Sequence, residues 1–200
     1  MSGIVGSKLN IRGSGRVAKL GTDGQVLTSS GAGAGAVFEA AAGGGKIGGV
    51  WHTVKTDTFS NSTASTWVDI TGLTVTTGTL ASSSSKILVS VGIIGASNAY
   101  DTWKVVDGSG NDITNFIGDA SASLIRCSGP NMYIKDSGDW ENYALLGTPG
   151  LMLDSPGVTT AQTYKVQTYG YNTTAFYLNR PTSDSWLRSV SSITAMEILA

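Results

Sequence analysis

The chain has 200 residues, of which 14% are charged, and its formal net charge is −1. This length suits one β-rich domain with an additional segment, and the balanced charge lacks the basic patch that binds nucleic acid or an anionic membrane. We therefore expect neither nucleic acid nor a membrane among the partners. The single cysteine, Cys127, excludes an internal disulfide and a multi-cysteine metal site.

Residues 1–49 are rich in glycine and contain only short alternating pieces, such as SKLNIRG and RVAKLG. Ordering glycine costs more backbone entropy than ordering any other residue, so this stretch is not expected to build a core by itself. It is either a flexible leader or an extended arm that other subunits hold in place. The first residues lack the apolar core of a signal peptide, so we expect synthesis in a cytoplasm without export by the usual route.

From residue 50 to residue 200 the pattern changes to short strands separated by turn residues. The longest apolar run, ILVSVGIIGA (87–96), is far shorter than the roughly 20 residues that cross a bilayer, and it predicts a buried strand. WKVVDGSGNDITNF (103–116) predicts a hairpin, and SLIRCSG (123–129) predicts a further strand. No helical period persists for three turns. We predict an all-β, jelly-roll-like antiparallel sandwich that forms a head domain.

The sequence offers little for catalysis or for metal and cofactor binding. A catalytic triad would have to use the only histidine, His52, but the sequence has no G-x-S-x-G motif to supply its serine nucleophile. GGGKIGG (43–49) resembles a nucleotide-binding loop but lacks the strand before it and the helix after it. The run DGSGND (107–112) resembles a calcium loop, but Asp112 and Gly118 stand where that loop needs Gly and Glu, and a β-turn explains it. We expect no enzyme activity, no metal and no cofactor.

Aromatic residues in polar surroundings are the candidates for recognition. We predict receptor contacts at Tyr100, Trp140, Tyr143 and Tyr171, since aromatic faces stack on sugar rings and nearby polar groups bond sugar hydroxyls. Packing in the core or in an interface is the alternative for each. We favour packing for Trp67 and Trp103.

Two segments resemble proteins of tailed bacteriophages. GTDGQVLTSSGAGAGAVF (21–38) is similar to a segment that recurs in fibre and appendage proteins, between a virion-attached N-terminus and a β-rich head. TDTFSNSTASTWVDITGLTVTT (56–77) and SSITAMEILA (191–200) resemble the outer strands of a C-terminal domain found in phage fibre and tail-associated proteins. Residues 100–180 carry no such resemblance.

The resemblance implies a structural protein of the virion, made in the host cytoplasm. We expect a short homotrimeric fibre or spike whose arm, residues 1–49, anchors to other virion proteins while the head projects, with a host surface polysaccharide as a candidate partner. A capsid decoration or head-fibre protein is the alternative, and a polysaccharide-binding module or a depolymerase is less favoured. The expected assembly residues of the arm are Gly21, Gly24, Gln25, Val26, Leu27, Gly31, Gly33, Val37 and Phe38.

Overall fold

The computed structural model describes residues 25–29, 36–40, 46–97, 99–130, 145–173, 175–183 and 186–199. Contacts between Cα atoms divide the chain into two compact units, Met1–Gly45 and Lys46–Ala200. The second unit starts a few residues before the predicted boundary, because its first strand begins at Ile47. The attachment role of the first unit and the projecting role of the second stay predictions. We call residues Lys46–Ala200 the head.

The described part of the first unit is one antiparallel strand pair. Strand β1 (Gln25–Ser29) pairs with β2 (Ala36–Ala40), with Leu27 opposite Phe38. Val37 and Phe38 are exposed. Because neighbouring residues of a strand point to opposite faces, both faces of this pair carry an exposed apolar side chain. A two-stranded pair is marginally stable by itself in water.

The described part of the second unit contains nine strands. They are β3 (Ile47–Lys55), β4 (Phe59–Asn61), β5 (Trp67–Thr76), β6 (Lys86–Ser97), β7 (Thr102–Asp107), β8 (Leu146–Asp154), β9 (Thr163–Tyr169), β10 (Phe176–Leu178) and β11 (Ser191–Ile198). A 3-10 turn, Thr114–Phe116, is the only helical element among the described residues. The prediction of an all-β fold is confirmed.

Strand β6 is the centre of a six-stranded sheet, and every strand pairing in that sheet is antiparallel. One edge of β6 pairs with β8, and the other edge pairs first with β11 and then with β10. Strand β3 pairs with β11, and β4 pairs with β10. Strands β5, β9 and β7 form a second, three-stranded antiparallel sheet in that order. These sheets include a half-barrel curl, while the jelly-roll description stays a prediction.

The core of the second unit consists of apolar residues from both sheets. Alternation along β6 turns Ile87, Val89, Val91 and Ile93 inward, where they join residues from β5, β7, β9, β10 and β11. Trp103 of β7 is fully buried, as its predicted packing role requires, and its Nε1 donates to Thr148 Oγ1 of β8 at 2.9 Å. This hydrogen bond joins the two sheets.

Of the predicted hairpin at 103–116, the first strand and the turn are present but the second strand is wrong, and so is the predicted strand at 123–129. After a single bridge between Val106 and Asp112 the chain enters the 3-10 turn, which buries Phe116 against Tyr164. The segment SLIRCSG has no strand, yet it supplies hydrogen bonds to β7. Ser128 Oγ accepts from Val105 N at 3.0 Å, and Ser128 N donates to the carbonyl of Trp103. The Ser128 hydroxyl therefore accepts the hydrogen bond that a carbonyl of a neighbouring strand would otherwise accept from β7.

Candidate functional site

One end of the sandwich brings together two of the predicted recognition residues. Tyr100 lies in the connection from β6 to β7, and Tyr171 follows the end of β9. Their rings meet edge to face, with centroids 5.7 Å apart and planes at 88°. The two residues are 57% and 58% exposed. They form a tyrosine pair on the surface of the head.

A buried carboxylate, that of Asp101, holds the two loops of the tyrosine pair together. Its Oδ2 accepts from Ser97 Oγ at 2.6 Å, and its Oδ1 accepts from the backbone N–H of Tyr171 at 3.0 Å. Its own backbone N–H donates to the carbonyl of Ala99 at 2.8 Å, which tightens the turn that carries Tyr100. Sequence analysis missed Asp101, because no local pattern connects it with a residue 70 positions away.

Burial raises the pKa of Asp101 above its ordinary value, and the hydrogen bonds from Ser97 and Tyr171 oppose that rise. The residue is inaccessible to solvent. A carboxylate in this position cannot meet a ligand directly. Its contribution to the site is to position the two tyrosines.

A second aromatic cluster lies at the same end, on the side of the three-stranded sheet that points away from the core. Trp67 of β5 packs against Tyr169 of β9, with ring centroids 5.3 Å apart. Lys104 Nζ lies 4.4 Å from the centroid of the Trp67 ring and also pairs with Asp112. Trp67 is half-buried by these contacts, which agrees with the packing role favoured for it.

Several predicted site residues lie outside the part of the chain that the structure describes. These are Trp140 and Tyr143 among the receptor candidates and Gly21, Gly24, Gly31 and Gly33 of the arm. Gln25, Val26, Leu27, Val37 and Phe38 lie on β1 and β2. Of these, the side chains of Gln25, Val37 and Phe38 are exposed.

The residues that most resembled catalytic or metal-binding groups have structural hydrogen bonds. His52 Nδ1 lies 2.7 Å from Thr194 Oγ1 across β3 and β11. In the DGSGND turn, Asp107 Oδ1 accepts from the N–H groups of Ser109 and Asn111, and its Oδ2 accepts from Asn111 Nδ2. A β-turn therefore explains the role of Asp107, because both of its carboxylate oxygens accept hydrogen bonds from within the turn.

Within the described ranges, no three His, Cys, Asp or Glu residues are grouped closely enough to hold a metal ion. The same part of the chain has no helix whose length and apolar character suit a membrane span. The surface tyrosine pair is the feature of the described head that best suits binding.

Compared with protein-family models and with curated proteins, the chain matches none.

Proposed function

We propose that the chain is a structural protein of a tailed-phage virion, a short homotrimeric fibre or spike with a projecting β head. The proposal rests chiefly on the GTDGQVLTSSGAGAGAVF segment, whose described strands form only a two-stranded pair. Apolar side chains, those of Val37 and Phe38, are exposed on both faces of this pair. Such a pair gains stability when other chains cover both faces. An attachment arm that assembles with its symmetry mates meets that requirement.

The test is to find the protein on purified particles of the phage that encodes it. We expect mass spectrometry to detect it in gradient-purified virions and immunogold labelling to place it at one or a few positions on the tail. Host lysate without phage is the control for adhering protein. Absence from purified virions would disprove the proposal.

A capsid decoration or head-fibre protein is the alternative within the same class. It has the same requirement for an arm held by other subunits, so the fold does not separate the two. Copy number does: decoration predicts labelling over the whole capsid, and a fibre predicts labelling confined to the tail.

The tyrosine pair favours a second role, recognition of a host surface polysaccharide by the head. Two exposed aromatic rings on loops that a buried carboxylate fixes are a preorganised surface for stacking on sugars. Losing one ring costs about 1 kcal/mol of stacking, or roughly a fivefold loss of affinity. We therefore expect Tyr171→Ala to weaken binding by about that factor, and the double variant with Tyr100→Ala to weaken it about 25-fold.

Binding would be measured on a glycan array and as adsorption of the protein to host cells. Val158→Ala is the control, since Val158 is exposed in the segment that leads into the start of β9, whereas Tyr171 follows the end of that strand, about 20 Å away along it. Tyr171→Phe keeps the ring and should retain most of the binding. Equal binding by the wild type and the double alanine variant would remove this role and leave the structural proposal standing.

A further inference from the structure

The outer face of the six-stranded sheet carries an apolar row that crosses four strands. In the strand register, Val50 of β3 lies opposite Met196 of β11, Met196 opposite Leu88 of β6, and Leu88 opposite Leu153 of β8. These positions alternate with the inward residues of each strand, so all four side chains point away from the core. Val50 and Leu153 are exposed although apolar.

The rows beside the apolar row are almost uncharged. One holds His52, Thr194, Ser90 and Leu151, and the next holds Val54, Ser192, Gly92 and Pro149. On the other side lie Ile47, Ile198 and Lys86. Where β3, β11, β6 and β8 run side by side, only Lys86 and His52 among the outward side chains are ionisable, and neither is acidic. We call this surface the outer face.

The outer face is broad enough to contribute to a contact between subunits. Four strands about 4.8 Å apart and about seven residues long cover roughly 400 Å², and the apolar row is one part of that area. The largest exposed apolar patch on a soluble protein is often functional. The whole face is about half of what each partner buries in a stable complex, so it supplements the association that the proposed function assigns to the arms.

The chemistry of the outer face favours a second copy of this chain as its occupant. A partner selected by charge would find no acidic group there and one lysine at the margin. Other copies present the same surface without acidic groups, so in a trimer three such faces turned toward a common axis bury apolar rows without desolvating a carboxylate. Contacts between identical subunits contain few charged residues and are rich in apolar residues, including methionine. The outer face has this composition.

We propose that the outer face is the contact through which the heads of identical subunits pack against one another. This inference deepens the proposed function and depends on its oligomeric part. It assigns the contact to Val50, Leu88, Leu151, Leu153 and Met196, none of which belongs to the tyrosine pair. The heads then pack sheet to sheet, and the loops that carry the tyrosines lie at one end of the packed sheets.

The test introduces a charge on the outer face and measures association of the full chain. Leu151 and Leu124 are matched, at 69% and 70% exposed, and only Leu151 lies on the outer face. We expect sedimentation equilibrium to show a wild-type oligomer. The double variant Leu151→Lys and Leu153→Lys should associate at least tenfold more weakly, whereas Leu124→Lys should associate as the wild type does.

Val50→Lys, on the strand at the opposite edge, is a second variant with the same expected loss of association. It decides the outcome if the double variant does not fold, as judged by circular dichroism. Wild-type association in the folded face variants would overturn the inference and leave an oligomeric fibre in place. A wild-type monomer at all concentrations would overturn both the inference and the trimeric part of the proposed function. Detection in purified virions is a separate result that neither outcome changes.

Discussion

Asn179 shows how one polar residue closes a gap in the six-stranded sheet. It comes directly after β10, at the point where the edge of β6 changes partner from β11 to β10. Its N–H donates to the carbonyl of Ile94, its Nδ2 donates to the carbonyls of Lys55 and Asp57, and its Oδ1 accepts from Ser191 Oγ. Its φ of 59° is a left-handed conformation that asparagine tolerates better than most residues.

Replacing Asn179 with alanine should destabilise the head by about 2–4 kcal/mol, because buried carbonyls lose their donors and alanine is strained at this φ. Asn179→Gly removes the same hydrogen bonds without the strain, so it should lose about 1 kcal/mol less. Urea unfolding of the three proteins measures both differences. A loss below about 0.5 kcal/mol in the alanine variant would contradict the bridging role.

Asp101 should make the stability of the head depend on pH. Its pKa is raised in the folded state by burial, so the folded protein binds this proton more tightly than the unfolded chain does. The resulting stabilisation is fully present below the unfolded value of 3.8 and is lost as the pH rises through the folded pKa. The lowered pKa of Asp57, whose first cause is its hydrogen bond with Lys55, acts in the opposite direction.

The variant Asp101→Asn separates these two opposing effects, because it removes only one titrating group. We expect the unfolding free energy of the wild type minus that of the variant to fall as the pH rises from below 3.8 to neutral. Urea unfolding across that range measures the difference. A difference independent of pH would show that Asp101 has an ordinary pKa in the folded state.

At the scale of elements, β6 determines how the head is put together. It pairs with three other strands, more than any other strand in the described part of the chain, since β8 takes one edge and β11 and β10 share the other. Its inward residues lie at the centre of the core and its outward residues lie on the outer face. One strand thus supports both the fold and the proposed contact between subunits.

Two adjacent isoleucines of β6 test this division between faces. Ile93 is fully buried in the core, and Ile94 lies half-buried on the opposite side. We expect Ile93→Ala to lower the unfolding free energy by about 2–5 kcal/mol through lost burial and a residual cavity. Ile94→Ala should cost less than half as much in chemical unfolding experiments. Equal losses would mean that the two faces contribute alike to the fold.

The strands also show which features a local sequence pattern predicts and which it does not. Alternation correctly indicates that 87–96 is a buried strand, because that pattern is local to the segment. It does not show that β7 pairs with β9 while Ser128 bonds the other edge of β7. Hairpin prediction at DGSGND failed because turn chemistry specifies only the turn, whereas burial of Phe116 directs the chain after Asp112 into a 3-10 turn.

At the scale of the whole molecule, association and stability should be coupled. If heads pack through the outer face, unfolding includes dissociation, so the melting temperature rises with protein concentration. We expect calorimetry between about 1 and 100 µM to show that rise for the wild type and for Leu124→Lys. The double lysine variant at Leu151 and Leu153 should show a smaller rise over the same range, because it associates more weakly. A wild-type melting temperature independent of concentration would contradict this coupling.

The amino-acid sequence by itself determined the all-β fold class, and it predicted a change near residue 50 from a glycine-rich segment to a strand-rich one. Both depend on composition and on the two-residue period of strands, which are local properties. Only the tertiary structure decided that Tyr100 meets Tyr171 over Asp101, and that Val50, Met196, Leu88 and Leu153 form one row. The physical reason is that alternation tells which face a side chain occupies, whereas strand order and register depend on pairing between distant segments.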